Sequence, residues 1–169
     1  MPIGKALLPE FDQEMANTRK TLERVPDARF DYQPHVKSPS MGWLAGHLAN
    51  LPSWILVTID RDELDVAPAD GGGLKLPVPT STEEVLTLFD KNVAAAREKI
   101  ASVSDEELMK PWTLKARGQA RFTIPKGVVV RSFVLNHIIH HRAQLGVYLR
   151  LNDLPVPSIY GPSADEGAF

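Results

Sequence analysis

Four stretches of the chain repeat their apolar residues every three to four positions, and no other feature restricts the fold as strongly. In residues 5–25 the stripe is Leu7, Leu8, Phe11, Met15, Thr18, Leu22 and Val25. The residue before a proline disfavours helical backbone, so Pro26 predicts the end of this helix. In residues 40–62, Trp43, Leu44, His47, Leu48, Leu51, Trp54, Ile55 and Thr58 share one face. Ser40 is the predicted N-cap, and Pro52 predicts a kink or a division. A capping-box pattern, Ser81-Thr-Glu-Glu84, opens the third stretch. Val85, Leu88, Phe89, Val93, Ala96 and Ile100 follow it at helical spacing. In residues 126–151 the shared side is Val130, Phe133, Val134, His137, Ile138, His141, Leu145 and Tyr148.

The connections are irregular. Residues 27–40 are polar, and residues 67–80 hold three glycines and three prolines, which predicts a long loop. Ser104 with Glu107 predicts a second cap and one or two short turns. Residues 108–127 alternate rather than cycle, which leaves a small hairpin or an irregular crossover, with Gly118 as the turn. Residues 153–169 are rich in Pro, Gly and Ser and form no regular element; they either fold over the helices or end in disorder. Helices with one apolar face and no sheet to lie on predict an all-α four-helix bundle with long connections and an irregular C-terminal tail. Its 169 residues suit one domain, spanning 1–169.

Charge and composition exclude some functions. A formal net charge of −2 gives no basic footprint, so no nucleic-acid partner is expected. Cysteine is absent, which removes disulfides, thiolate ligands and a cysteine nucleophile together. The N-terminal residues lack the apolar core of a secretory signal, and no apolar run approaches the length of a membrane span. The expectation is a cytoplasmic, soluble protein with no membrane partner.

Three of the five histidines fall in NHIIHHRAQLGVYLR, residues 136–150. Positions four apart on a helix lie about 40° apart around the axis and one turn along it, so two imidazoles can reach one ion. His137 and His141 have this spacing. His47, among Leu44, Leu48 and Leu51, is the natural third ligand. The alternative is that these are packed, hydrogen-bonded core histidines. His140 is three residues from His137 and is the other candidate partner; His141 lies nearer the centre of the apolar face. His35 belongs to the polar loop. Three imidazoles suit zinc, nickel, cobalt or iron.

GWLAGHLANL and NHIIHHRAQLGVYLR, about ninety residues apart, resemble the motifs of the DinB family of metal-binding four-helix bundles, the DinB/YfiT-like metalloenzymes. In that family a late helix often reads histidine-histidine-arginine-glycine-glutamine; here the run is His140-His141-Arg142-Ala143-Gln144. The ending LPVPSIYGPSADE is also similar to tails of that family. Together these cover nearly the whole chain. The resemblance implies a divalent metal on His47, His137 and His141, with zinc or nickel first and iron, cobalt or manganese as further candidates. It also implies a bundle connected in the order 1-4-2-3, a homodimer, and relatives that use low-molecular-weight thiols such as bacillithiol or mycothiol.

An ion with three protein ligands keeps open positions and can activate water or a thiol. With no cysteine in the chain, any thiol comes from a cofactor or substrate. No carboxylate has a clear claim as general base: Glu83 and Glu84 open a helix, and Asp60, Asp62 and Glu63 read as a solvated helix end. Arg142 reads as an ion-pair partner, with an anionic substrate as the alternative. Gln144 reads as orienting a ligand or a helix end, and Tyr148 as a core residue. Trp43 and Trp54 read as core or dimer surface. The expected function is a metal-dependent enzyme acting on a small-molecule substrate, with thiol-dependent transfer in view. The alternatives are a metal-dependent hydrolase, a non-catalytic metal- or ligand-binding stress-response protein, and a metal-free bundle.

Overall fold

The computed structural model describes residues 1–167, most of them helical. Helix α1 (Ile3–Leu22) buries Phe11, Met15 and Leu22 and stops short of Val25. The second apolar stretch forms two helices, α2 (Met41–Asn50) and α3 (Ser53–Asp60). Ser40 caps α2 by accepting from Trp43 N at 3.1 Å. Pro52 has no N–H to continue the ladder, so the chain divides at Leu51–Pro52. Helix α4 (Thr82–Ser102) starts with Ser81 Oγ accepting from Glu84 N. The Glu84 carboxylate turns back to Thr80 N at 2.7 Å, one residue earlier than a capping box requires. Ser104 caps the short α5 (Asp105–Met109).

The all-helical expectation is corrected by a three-stranded sheet. Strands β1 (Glu63–Asp65), β2 (Pro111–Ala116) and β3 (Gln119–Pro125) run in that order, β1 parallel to β2 and β2 antiparallel to β3. Glu63 therefore opens a strand instead of closing a helix. The hairpin reverses at Arg117 (φ 56°) and Gly118 (φ 74°), the left-handed pair that matches strand twist. Trp112 pairs with Ile124 and Leu114 with Phe122 on the inner face, and the Thr113 and Thr123 hydroxyls meet at 2.9 Å outside. Trp112, Leu64 and Val129 form a small core that also reaches Trp54 and Phe133.

After β3 the chain makes one helical turn, α6 (Lys126–Val128), then a π-helical stretch, Val129–Leu135, then α7 (Asn136–Arg150). The single regular helix expected here is thus widened over seven residues just before the histidines. π-helical insertions of this kind often accompany functional sites. Helix α1 and the α2–α3 pair both pack on α4 and on the 129–150 rod. Phe11, Leu44, Leu48, Phe89, Val134, Ile138 and Leu145 meet in the middle, each 1% exposed or less. Side chains buried so fully contribute about 1.5–3 kcal/mol each.

The tail folds back over α1 and α7. Asp165 pairs with Arg150, Glu166 with Arg24, and Tyr160 bonds Glu14. Ala168 and Phe169, the end of the predicted tail, lie outside the described residues. Among the described residues, no helix is long and apolar enough to cross a membrane.

Candidate metal centre

His47 projects from the middle of α2, and His137 and His141 from the first turns of α7. Their ligand nitrogens all lie within 4.8 Å of one another. His47 Nε2 is 3.3 Å from His137 Nε2, which is 2.8 Å from His141 Nε2. Each ring is half-buried at the junction of α2 and α7. His140 is exposed and does not join them, its ring turned edge-on to His141 at 4.9 Å. His35 lies in an exposed turn, where its Nδ1 accepts from Lys37 N.

The three rings are held in their uncharged form. Burial, then the neighbouring rings of His141 and His137, push His47 down to about 4. Burial and the neighbouring rings also bring His137 down to about 4, and burial lowers His141. All three imidazoles are therefore neutral at pH 7, the form that ligates metal. Gln144 Oε1 accepts from His141 Nδ1 at 2.7 Å. With the proton on Nδ1, the lone pair of His141 Nε2 points at the cluster. A single proton on His137 Nε2 can serve His47 or His141 but not both, whereas one cation serves all three. Two nitrogens on one tetrahedral zinc stand about 3.3 Å apart, given bond lengths of about 2.0–2.1 Å. The 3.3 Å separation fits this directly, and the 2.8 Å one is closer by about half an ångström. The residues present fit a divalent ion held by three imidazoles.

Aromatic rings surround the cluster. The Trp43 indole lies parallel to the His47 ring, centroids 4.8 Å apart and planes 15° apart, and is itself 54% exposed. Phe133, from the π-helical stretch, contacts His137 at 5.7 Å. Trp54 packs on Phe133 inside the molecule. Of the two tryptophans, Trp54 is a packing residue and Trp43 belongs to the site. His47 also forms part of the wall of a cavity of about 630 Å³ on the outer side of α2.

Other sequence candidates lie elsewhere. Arg142, 4% exposed, points away from the histidines and pairs with Glu14 at 2.7 Å. It also donates to the Tyr160 hydroxyl at 2.6 Å, and that hydroxyl donates to Glu14. This assembly locks α7 to α1 and to the tail, so the anionic-substrate alternative for Arg142 has no geometric basis. Tyr148 is a core residue whose hydroxyl donates to Pro39 O at 3.1 Å. Glu83 and Glu84 stay at the start of α4.

Two further buried ionic residues stand outside every motif of the sequence. Glu14 lies three residues after Phe11 and four before Thr18, on the inward stripe of α1, and that placement was the available signal. Lys126, 1% exposed, donates to Ile59 O and pairs with Glu107 at 2.6 Å and Asp62 at 3.0 Å. Nothing local in the sequence marks it.

Comparison with known proteins places the chain in a family. The model of the DinB superfamily matches residues 10–145. Over 168 residues the chain is 27% identical to protein YrdA of Bacillus subtilis (strain 168), covering 95% of this chain and 90% of that one. A crystal structure of a DinB-like protein from Bacillus cereus ATCC 10987 superposes with a TM-score of 0.71 at 22% identity, over 92% of this chain and 97% of that one. The mycothiol-dependent maleylpyruvate isomerase shares the fold with a TM-score of 0.52 at 15% identity, over 88% of this chain and 59% of that one. The family match spans the helices that carry all three histidines, and the chain belongs to the DinB superfamily.

Proposed function

We propose that this protein is a metal-dependent enzyme in which His47, His137 and His141 hold one divalent ion and a small molecule reacts beside it. The convergence of three neutral Nε2 atoms carries this reading. Zinc and nickel are the first candidates, iron suits imidazole as well, and cobalt and manganese are further candidates. When bound, such an ion supplies Lewis acidity that lowers the pKa of a coordinated thiol or water.

The chain's own residues prepare that chemistry. Gln144 holds the His141 tautomer, Trp43 covers one face of His47, and Phe133 packs against the ring of His137. Among the described residues no carboxylate joins the histidine cluster to act as a base. A thiol, more acidic than water, has less need of one, and this chain has no cysteine to supply it. Thiol-dependent transfer is therefore preferred over hydrolysis. The fold shared with a mycothiol-dependent isomerase supports the same preference. In this reading the chain works as one cytoplasmic domain and pairs with a second copy, which sedimentation equilibrium tests.

The deciding experiment is elemental mass spectrometry on untagged protein and on His47→Ala and His141→Ala. About one ion per chain, lost in both variants while they stay folded, is the expected result. Wild-type protein that stays empty after incubation with zinc and nickel would refute the reading.

A further inference from the structure

The cavity of about 630 Å³ beside His47 has the size of a small-molecule site. Its floor is α2, where Gly46 lets the chain approach closely: a Cβ there would stand 3.1 Å from the Pro79 ring. The opposite wall is the segment 76–80, which the sequence marks only as a loop. Asn50, 4% exposed, holds that wall in place by donating to Pro77 O at 2.9 Å and to Gly46 O at 2.8 Å. Both amide protons are used, so the carbonyl oxygen of Asn50 is what it has left to offer a ligand.

The lining is chemically one-sided. Phe30, Trp43, Val78 and Pro79 make it mainly apolar. Its ionic groups are Asp27 and Asp31, and it includes no lysine or arginine. Asp27 Oδ1 accepts from the Thr82 N–H at 2.7 Å and lies 2.8 Å from the Thr82 hydroxyl, which fixes the carboxylate; among the described residues Oδ2 makes no hydrogen bond. Those hydrogen bonds also hold the Asp27 carboxyl below its usual range, so it stays ionised. Asp31 makes no ion pair among the described residues. A lining whose only ionic groups are carboxylates favours a ligand that carries a positive charge and repels an anion. The exposed Trp43 face offers an aromatic surface for the ligand's apolar body.

We propose that this cavity binds small molecules with an apolar body and a protonated amine, and that it is the substrate pocket of the histidine centre, reached past Trp43 and His47. The second half of the proposal rests on the metal reading; the first half stands on the cavity alone. An amine seated between Asp27 and Asp31 leaves the other end of the ligand against Trp43, beside the ring of His47.

Two probes with the same phenylethyl body and opposite charge test it, 2-phenylethylamine and 3-phenylpropionate, titrated at pH 7 into metal-free and zinc-loaded protein and followed by amide chemical shifts. The amine is expected to shift resonances of Trp43, Gly46 and Val78 in both forms, with a Kd at least tenfold below that of the anion. Asp31→Asn, an exposed change that leaves the wall intact, is expected to weaken the amine about three- to tenfold and to strengthen the anion. Equal binding of the two probes, preference for the anion, or shifts elsewhere on the molecule would overturn the cavity proposal, whatever the zinc content. In zinc-loaded protein the amine is expected to shift the His137 and His141 ring protons as well. Amine binding that leaves them unmoved would overturn the link to the centre. Protein that binds the amine but never takes up zinc would instead refute the metal reading.

Discussion

Replacing Arg142 with methionine separates its structural role from any role in the reaction. The guanidinium is 4% exposed and faces a Glu14 side chain that is 7% exposed. Besides that 2.7 Å contact it donates to Glu14 O at 3.1 Å and to the Tyr160 hydroxyl at 2.6 Å. Methionine fills much of the same volume, so the main effect of Arg142→Met is to strand the Glu14 carboxylate with Tyr160 as its remaining donor. Removing one partner of a buried pair costs about 3–5 kcal/mol. A domain of this kind is held by about 5–15 kcal/mol in all. At about 2–4 °C per kcal/mol for a chain of this length, Tm should fall by roughly 6–20 °C. Urea unfolding followed by circular dichroism measures the loss, and an unchanged m-value shows that the native state stays compact. Adding Glu14→Gln removes the stranded charge and should recover at least about 2 kcal/mol. The reasoning fails if Arg142→Met costs less than about 1 kcal/mol, or if the double variant is no more stable than the single one.

Gln144→Ala should weaken zinc binding about 10–100-fold, because His141 loses the acceptor that fixes its tautomer; competition with a chelator of known affinity measures it, and an unchanged Kd would show that Gln144 has no such role. Glu107 bonds Lys110 and Lys126, which bring its carboxyl down to about 2 from 4.5. Its folded pKa is depressed, so its stabilisation is complete above about pH 4.5 and fades as pH falls toward 2. Glu107→Gln should therefore be less stable at pH 7 and lose less than wild type between pH 4.5 and 2, in matched thermal melts; parallel curves would contradict this. A Cβ at Gly42 would sit 2.7 Å from Phe30 Cδ2, and Gly42→Ala should cost about 1–3 kcal/mol by denaturant titration, unless α2 and the residue-30 turn separate freely.

Some of this molecule could be read without coordinates, because the determining forces act within a few residues. The stripe of Phe11, Met15 and Leu22 marks α1, and Ser40, Ser81 and Ser104 mark three helix starts through hydrogen bonds no longer than one turn. Pro52 marks the division between α2 and α3 by lacking a donor. The four-residue spacing of His137 and His141 is likewise local, and so is Gln144, three residues from the ring it orients. His47 could be nominated as an inward residue of its helix, and the family motifs pointed to the same position.

What could not be read depends on residues distant in the chain. Strand β1 has three residues, and what defines it is a parallel partner fifty positions later. A strand that short has no periodicity of its own, which is why Glu63 looked like a helix end. The burial of Lys126 needs Ile59, Asp62 and Glu107 to arrive from three other segments. Trp43 could have been core or surface on its own helix; stacking on His47 beside a cavity closed by residues 76–80 made it part of the site. Sequence by itself determined the helices, their caps and which histidines face inward, since each rests on contacts within about one turn. Tertiary structure alone decided that His47 and His137, ninety positions apart, bring their Nε2 atoms to 3.3 Å. It also decided that Arg142, next to His141 in the chain, turns away from it to close an ion pair with α1. Both outcomes follow from how α2 and α7 settle into a shared core, and that packing is summed over the whole chain.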